Sequence, residues 1–212
     1  MEINWLGHSF FRLRAKEATV AIDPIARKGA GGKVAADVVL ISHEHPGHAA
    51  RDVISGSPRV LTRPGEYEIK GVSIVGVQTA HDGEGGKRRG ANTAWIVQLE
   101  DIKLCHLGDI GHTLTEEQAE AIGHVDVLLV PVGGHNTINA VQANEIVTAL
   151  EPKIVVPMHY GTGEGDESAL APVEVFLREQ GLRTVEPQAK LTLTKSALPE
   201  DTQVVVLDFR KA

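Results

Sequence analysis

Three histidines fall within six residues, at His43, His45 and His48, immediately after an apolar run at 38–42. With ten histidines in 212 residues, three chosen positions are all His about once in 10,000 trials, so such a cluster anywhere in the chain is an event of roughly a few per cent. The cluster therefore reads as selected. In an extended segment residues i and i+2 point to the same side, which lets His43 and His45 close on one ion while Glu44 points away. The turn at Pro46-Gly47 brings His48 back beside them. Three more candidates share this placement: His81 follows the run 72–79, Asp109 the run 102–107 and His159 the run 154–156. Open α/β sheets build their sites in the crevice beyond the carboxyl ends of strands, so these dispersed residues are expected to meet the first cluster. Five imidazoles and one carboxylate suit one or two divalent ions. His43, His45 and His81 make one set of three, and His48, Asp109 and His159 a second; three protein ligands with a position left open for water activate a nucleophile.

The elements that must position these residues follow from periodicity. Short runs at 3–6, 10–13 and 19–22, separated by polar turns, predict β hairpins. The continuous apolar run 38–42 predicts a strand covered on both faces, with a helix near 49–54 after it. Strands are expected at 60–62, 67–69 and 72–79, with Lys70-Gly71 as a tight turn, and a further hairpin joins 93–99 to 102–107 through Glu100-Asp101. Glycine-rich loops are expected at 26–36, with Gly29, Gly31 and Gly32, and at 82–90. Beyond residue 107 the pattern becomes alternation of strand and helix. Thr115 with Gln118 and Asn139 with Gln142 are capping-box pairs opening helices to about residues 122 and 150, and Pro172 opens a third to about 180. Strands at 125–130, 154–156, 191–194 and 204–207 complete the chain. Without a repeat or a linker, residues 1–212 read as one α/β (α+β) domain with sheet sandwiched between helices.

Composition narrows the function. Hydrophobic residues make up 42% and charged residues 23%, the balance of a globular protein rather than a disordered or fibrous one. Histidines outnumber the four Phe, two Tyr and two Trp together. A net charge of −7 argues against a general nucleic-acid or anionic-membrane binder. A single cysteine, Cys105, excludes an intrachain disulfide and a thiolate cluster, leaving His and carboxylates for any metal. Inside an apolar run, Cys105 itself reads as a small buried hydrophobe. The N-terminal residues carry no signal-peptide pattern and no apolar run approaches a membrane span, so a cytoplasmic location is expected. Neither a Gly-x-Ser-x-Gly elbow nor a phosphate-binding P-loop is present.

Ser42-His43-Glu44-His45-Pro46-Gly47-His48, Ala80-His81, Leu107-Gly108-Asp109 and Pro157-Met158-His159-Tyr160-Gly161 resemble, in order, the metal motifs of the metallo-β-lactamase superfamily. Trp5-Leu6-Gly7-His8, Ile22-Asp23-Pro24, Arg63-Pro64-Gly65-Glu66-Tyr67 and Val130-Pro131-Val132-Gly133-Gly134 point to its stand-alone metal-dependent hydrolases similar to ascorbate-6-phosphate lactonase, a resemblance covering about residues 1–180. It implies a four-layer αββα sandwich with His43, His45 and His81 on one metal, His48 and His159 on the other, and Asp109 bridging. It makes Asp23 a carboxylate holding a ligand imidazole by its free N–H, where the residues alone read equally as a turn before Pro24. It places His8 near the site, as a substrate contact or a hydrogen-bond donor behind the ligands. Flavin-linked diiron members carry Glu where this chain has His45, which implies a zinc-type centre, with Mn2+ or Fe as other candidates.

One position departs from the family pattern His-x-His-x-Asp-His: Gly47 stands where the Asp ligand of the second ion belongs. Three consequences are open. A single ion is bound, or water, Asp82 or Glu44 compensates, or hydrolysis is lost. Among the other histidines, His106 is expected to pack inside a strand and His112 and His124 to cap or flank a surface helix, while His135, in a loop after a strand, could face the crevice. Lys87-Arg88-Arg89 reads as a solvated loop or, with Arg89 clamping a phosphate or carboxylate, as part of the substrate site. The expected function is a metallohydrolase with Asp109 and His159 at its catalytic centre, acting on a lactone or phosphoester of a small anionic metabolite. The alternative is a metal- or ligand-binding protein with weak or no turnover. The expected partners are a small-molecule substrate and, at most, further copies of this chain, with no nucleic acid and no membrane.

Overall fold

The computed structural model describes residues 1–26, 32–163 and 169–208; part of the glycine-rich loop expected at 26–36, including Gly29 and Gly31, lies outside them. In chain order the elements are β1 (Glu2–Trp5), β2 (Phe11–Arg14), β3 (Thr19–Ile22), β4 (Val34–Ala35), β5 (Val38–Leu40), β6 (Ile54–Ser55), β7 (Arg59–Leu61), β8 (Gly65–Ile69), β9 (Val72–Ala80), β10 (Ala91–Leu99), β11 (Ile102–His106), α1 (Glu116–Ile122), β12 (Val127–Pro131), α2 (Ala140–Leu150), β13 (Ile154–Met158), α3 (Val173–Glu179), β14 (Leu191–Thr192) and β15 (Gln203–Val204).

Two mixed sheets face each other. The first is ordered β14-β1-β2-β3-β5-β7, antiparallel as far as β3 and parallel beyond it. The second is ordered β15-β13-β12-β11-β10-β9-β8, antiparallel from β8 to β11 and parallel from β11 to β15. Parallel strands covered on both faces should read as unbroken apolar runs, and every residue of β5, β12 and β13 is buried.

Strand alternation divides the first sheet into two faces. Phe11, Leu13, Val20, Ile22, Val38 and Leu40 join Trp5, Trp95, Leu104 and Leu129 in the core between the sheets. Phe10, Ala21, Val39 and Ile41 point the other way, into a smaller cluster with Ile54. On the far side of the second sheet α1 packs on β9, and α2 on β12 and α3. The architecture is the αββα sandwich. Its layer over the first sheet is thin among the described residues, because the helix expected near residues 49–54 is only a single 3-10 turn, Arg51–Val53. The stretch is too short to sustain an α-helix, and its β-branched end is drawn into β6, where Ile54 pairs with Val34.

Both capping boxes form. Thr115 accepts from the Gln118 N–H and Asn139 from the Gln142 N–H, each helix glutamine returning a bond to the cap backbone. Lys70 and Gly71 both take positive φ, as do Glu100 and Asp101, the conformation a two-residue hairpin turn demands. No helix among the described residues is long and apolar enough to cross a membrane. Asn139→Ala removes one half of the α2 box and is expected to cost about 1 kcal/mol, seen by scanning calorimetry as a Tm lower by roughly 2–4 °C.

Candidate metal centre

Six strands end at one edge of the sandwich, and a site residue stands just past each. In the first sheet β1, β3 and β5 are mutually parallel; after them come His8, Asp23 and the segment 42–48. In the second sheet β9, β11 and β13 run the same way as one another; after them come His81, Asp109 and His159. The crevice therefore lies between the carboxyl ends of two sheets.

Asp109 is the hub. Its Oδ2 lies 3.1 Å from His48 Nε2, 3.2 Å from His159 Nε2, 3.5 Å from His81 Nε2 and 3.9 Å from His43 Nε2. All five residues are buried, whereas His45 is exposed at the mouth. The donor atoms form three groups among the described residues, each with its members within 4.8 Å of one another: His43, His45 and His81; His8, His48, Asp109 and His159; and Asp23, His43 and His48. The structure thus brings together all six expected ligands, and adds His8 to the second group.

Behind the imidazoles lies a carboxylate and a hydroxyl. Asp23 Oδ2 is 2.9 Å from His48 Nδ1, and Asp23 also accepts the Ser42 N–H at 2.7 Å and the Ser42 hydroxyl at 2.5 Å. With its proton given to Asp23, Ser42 Oγ accepts from His43 Nδ1 at 2.9 Å. Both rings thereby keep a proton on Nδ1 and present Nε2 to Asp109.

Whether a cation suits this cavity can be tested on its unsatisfied atoms. Among the described residues, His43 Nε2 is buried without a hydrogen-bond partner, although a buried acceptor normally finds one. A lone pair aimed at a carboxylate and other imidazoles is satisfied by a shared cation. Charge balance agrees. Burial opposes ionisation of Asp109, yet the neighbouring His159 and His48 hold its pKa well below the usual carboxylate range. Burial likewise opposes a charged His48, but Asp109 and Asp23 outweigh it and push its pKa up to about 10. His43 is drawn down to about 3, by burial first and then by the His48 charge; His81 is also lowered by burial. Without a metal, protons must supply the positive charge the two carboxylates require. The donors fit one or two divalent ions of N/O preference.

Several positioning residues carry no motif signal. Asn92 accepts the Asp109 N–H at 3.0 Å and donates to Leu107 O and Thr79 Oγ1; a polar residue opening the apolar strand β10 was the available clue. Gly108 takes φ +59°, and a Cβ there would lie 2.4 Å from Asn92 Oδ1 and 2.6 Å from Ser42 Cβ, so only glycine fits. A Cβ on Gly133 would lie 2.2 Å from His159 O. His106 is buried as expected, bonded to Ser9 O and to the Gly108 N–H. Cys105 is buried, which pushes its thiol up to about 12. His112 precedes α1, but its Nε2 accepts the Ala80 N–H at 3.1 Å and so clamps the end of β9 rather than capping a helix. His124 flanks α1 with its side chain 64% exposed. His135 lies exposed on a left-handed turn, outside all three donor groups. Arg89 is exposed, its backbone N–H held by Asp82.

The β-lactamase superfamily domain matches residues 2–159, and the chain belongs to that superfamily. A structure from Thermotoga maritima, described as a Zn-dependent hydrolase of the metallo-β-lactamase superfamily, shares 39% identity at a TM-score of 0.82, with 97% of each chain covered. A metal-dependent hydrolase of Pyrococcus horikoshii is 32% identical over 196 residues, 76% of this chain and 85% of the relative. An isothiocyanate hydrolase from Delia radicum gut bacteria, 14% identical at a TM-score of 0.70 over 92% of this chain and 99% of its own, shares the fold.

The pKa shifts set a pH window for the chelator-stripped protein. His43 is depressed, so the unfolded chain binds a proton from 6.5 downward that the folded chain refuses until about 3, and stability present above pH 6.5 is lost as pH falls. His48 is raised, so its contribution, complete below 6.5, is lost as pH rises through about 10. The Tm of stripped protein is expected to fall on both sides, and His43→Gln to flatten the acid limb between pH 6.5 and 4. An acid limb of equal slope in that variant would assign the loss elsewhere.

Proposed function

We infer that this protein is a metal-dependent hydrolase of a small anionic ester, a lactone or a phosphoester. Its ligands are His43, His45 and His81 for one ion and His48, Asp109 and His159 for a second. The observation that carries this reading is the Asp109 carboxylate facing four imidazole Nε2 atoms at 3.1–3.9 Å. Zinc suits a borderline donor set dominated by imidazole, and Mn2+ or Fe are the other ions it admits. When bound, such an ion polarises the scissile carbonyl or phosphoryl oxygen and lowers the pKa of water.

The chain's own residues do the rest. Asp23 and Ser42 fix the tautomers of His48 and His43 before substrate arrives, so no reorientation is needed during reaction. Asp109 and His159, both buried, form its reacting end, and the exposed His45 marks the side open to substrate. The segment after His81 is folded around Asp82, whose carboxylate accepts the N–H groups of Glu84, Gly86, Arg88 and Arg89 at 2.8–2.9 Å. That ties the basic residues Lys87, Arg88 and Arg89 to the loop that leaves the metal cleft. We assign Arg89 the anionic group of the substrate. A buried thiol and the absence of a cysteine pair favour a reducing, cytoplasmic setting.

Protein purified without chelator is expected to hold at least one equivalent of metal and to turn over members of a lactone and phosphodiester panel, with Asp109→Asn abolishing turnover. Less than one equivalent together with no turnover would abandon the enzyme reading; bound metal with no turnover on any substrate would favour the binding protein that Gly47 suggests. Arg89→Ala should raise KM for anionic substrates more than for neutral ones, and equal effects would remove Arg89 from the site.

A further inference from the structure

The glycine at position 47 leaves the second ligand set one carboxylate short of the family pattern, and neither acidic neighbour fills the place. Glu44 is exposed and paired with Arg51 at 2.7 Å. Both oxygens of Asp82 are committed to the four backbone N–H groups of its own loop.

The space is filled from the other side of the crevice. A Cβ built on Gly47 would lie 3.5 Å from His8 Nε2 and 3.7 Å from His8 Cδ2. The carboxylate oxygens of an aspartate there, two bonds further out, would reach into the volume the His8 ring occupies. That ring lies with its centroid 4.1 Å from the His159 ring and 5.0 Å from the His48 ring. A His8 ring nitrogen is within 4.8 Å of the donor atoms of His48, Asp109 and His159.

The backbone shows that this placement is enforced. His8 takes φ +55°, the left-handed region that most residues with a side chain avoid. Its carbonyl oxygen accepts two hydrogen bonds, from Trp5 Nε1 at 2.9 Å and from the His159 N–H at 3.1 Å. The bond from His159 ties the β1–β2 turn to the backbone of another ligand.

We propose that His8 is the protein ligand that takes the place of the missing aspartate, so that the second ion is held by His8, His48, His159 and Asp109. This rests on the reading of the crevice as a metal centre. The exchange replaces an anionic ligand by a neutral one, leaving Asp109 the one carboxylate in either ligand set among the described residues. A Cβ at 47 would sit in ordinary van der Waals contact with the His8 ring, so the crowding begins with side chains that extend beyond Cβ.

The test is metal stoichiometry and affinity rather than turnover. Zn2+ is titrated into stripped protein against a competing chromophoric chelator, and Co2+ loading is followed by its visible ligand-field bands. His8→Gly, comfortable at φ +55°, is expected to lose one equivalent or to weaken it by more than the 10–100-fold typical of residues behind the ligands, leaving the His43/His45/His81 equivalent intact. His8→Asn, which also tolerates the left-handed region, serves as a second removal, with thermal melting showing that both fold. The double variant His8→Gly/Gly47→Asp should recover the lost equivalent, while Gly47→Asp alone should gain none. Wild-type stoichiometry and affinity retained in both His8 variants would overturn the proposal, as would a double variant that stays one equivalent short. Wild-type protein that binds no metal would instead bring down the metal-centre reading itself.

Discussion

A carboxylate buried among imidazoles at the junction of two sheets is the constraint around which this molecule is arranged. Asp109 is 3% exposed, and an isolated ion there would be prohibitively costly to desolvate. It is tolerated because four ring nitrogens face it within 3.9 Å, able to share either protons or a metal with it. Every other demand follows from this. The imidazoles must arrive from separate strands, their far nitrogens must be fixed, and the backbone carrying Asp109 must pass close to the strand bearing Asn92. Two sheets each contribute three parallel strand ends to meet the first of these demands.

Rigidity comes from the polar layer behind the ligands. The Asp23–Ser42 pair fixes two rings at once, and Asn92 fixes the peptide of Asp109 while bonding to Leu107 and Thr79. Buried networks of this kind are worth having only when nearly complete, and one gap among the described residues, at His43 Nε2, lies where a cation would sit. Strain collects in the same place. Of eight non-glycine residues with positive φ among those described, His8, Asp23 and His159 belong to the crevice. Cores of Trp5, Trp95, Phe11 and Leu104 on one side and the helices on the other over-determine these conformations and hold them.

The pairing of Gly47 with His8 changes how the centre is understood. A ligand absent from the linear motif is supplied from a turn 39 residues earlier, and the vacated space at 47 is what admits it. A centre with one carboxylate facing its ions and six imidazoles binds a divalent cation less tightly, and leaves it more electron-poor, than one with two carboxylates.

Much was legible in the residues alone. The period-2 runs placed β3 without error and most other strands within two residues, the capping-box pairs opened α1 and α2 at the right positions, and the common placement of His43, His81, Asp109 and His159 after apolar runs located the crevice. These are local properties, set by side-chain alternation and by hydrogen bonds spanning three residues. The failures are non-local. The stretch 49–54 has the composition of a helix but forms only a 3-10 turn, its end Ile54 pairing with Val34 in β6; the role of Asn92 depends on a glycine 16 residues later; His112 bonds a strand end instead of its own helix. Most of all, the resemblance placed His8 near the site as a substrate contact or hydrogen-bond donor, but its position against Gly47 was not legible. Sequence spacing specifies which side chains follow strands, but which of them share one volume depends on how the two sheets stack, and only the packed core fixes that.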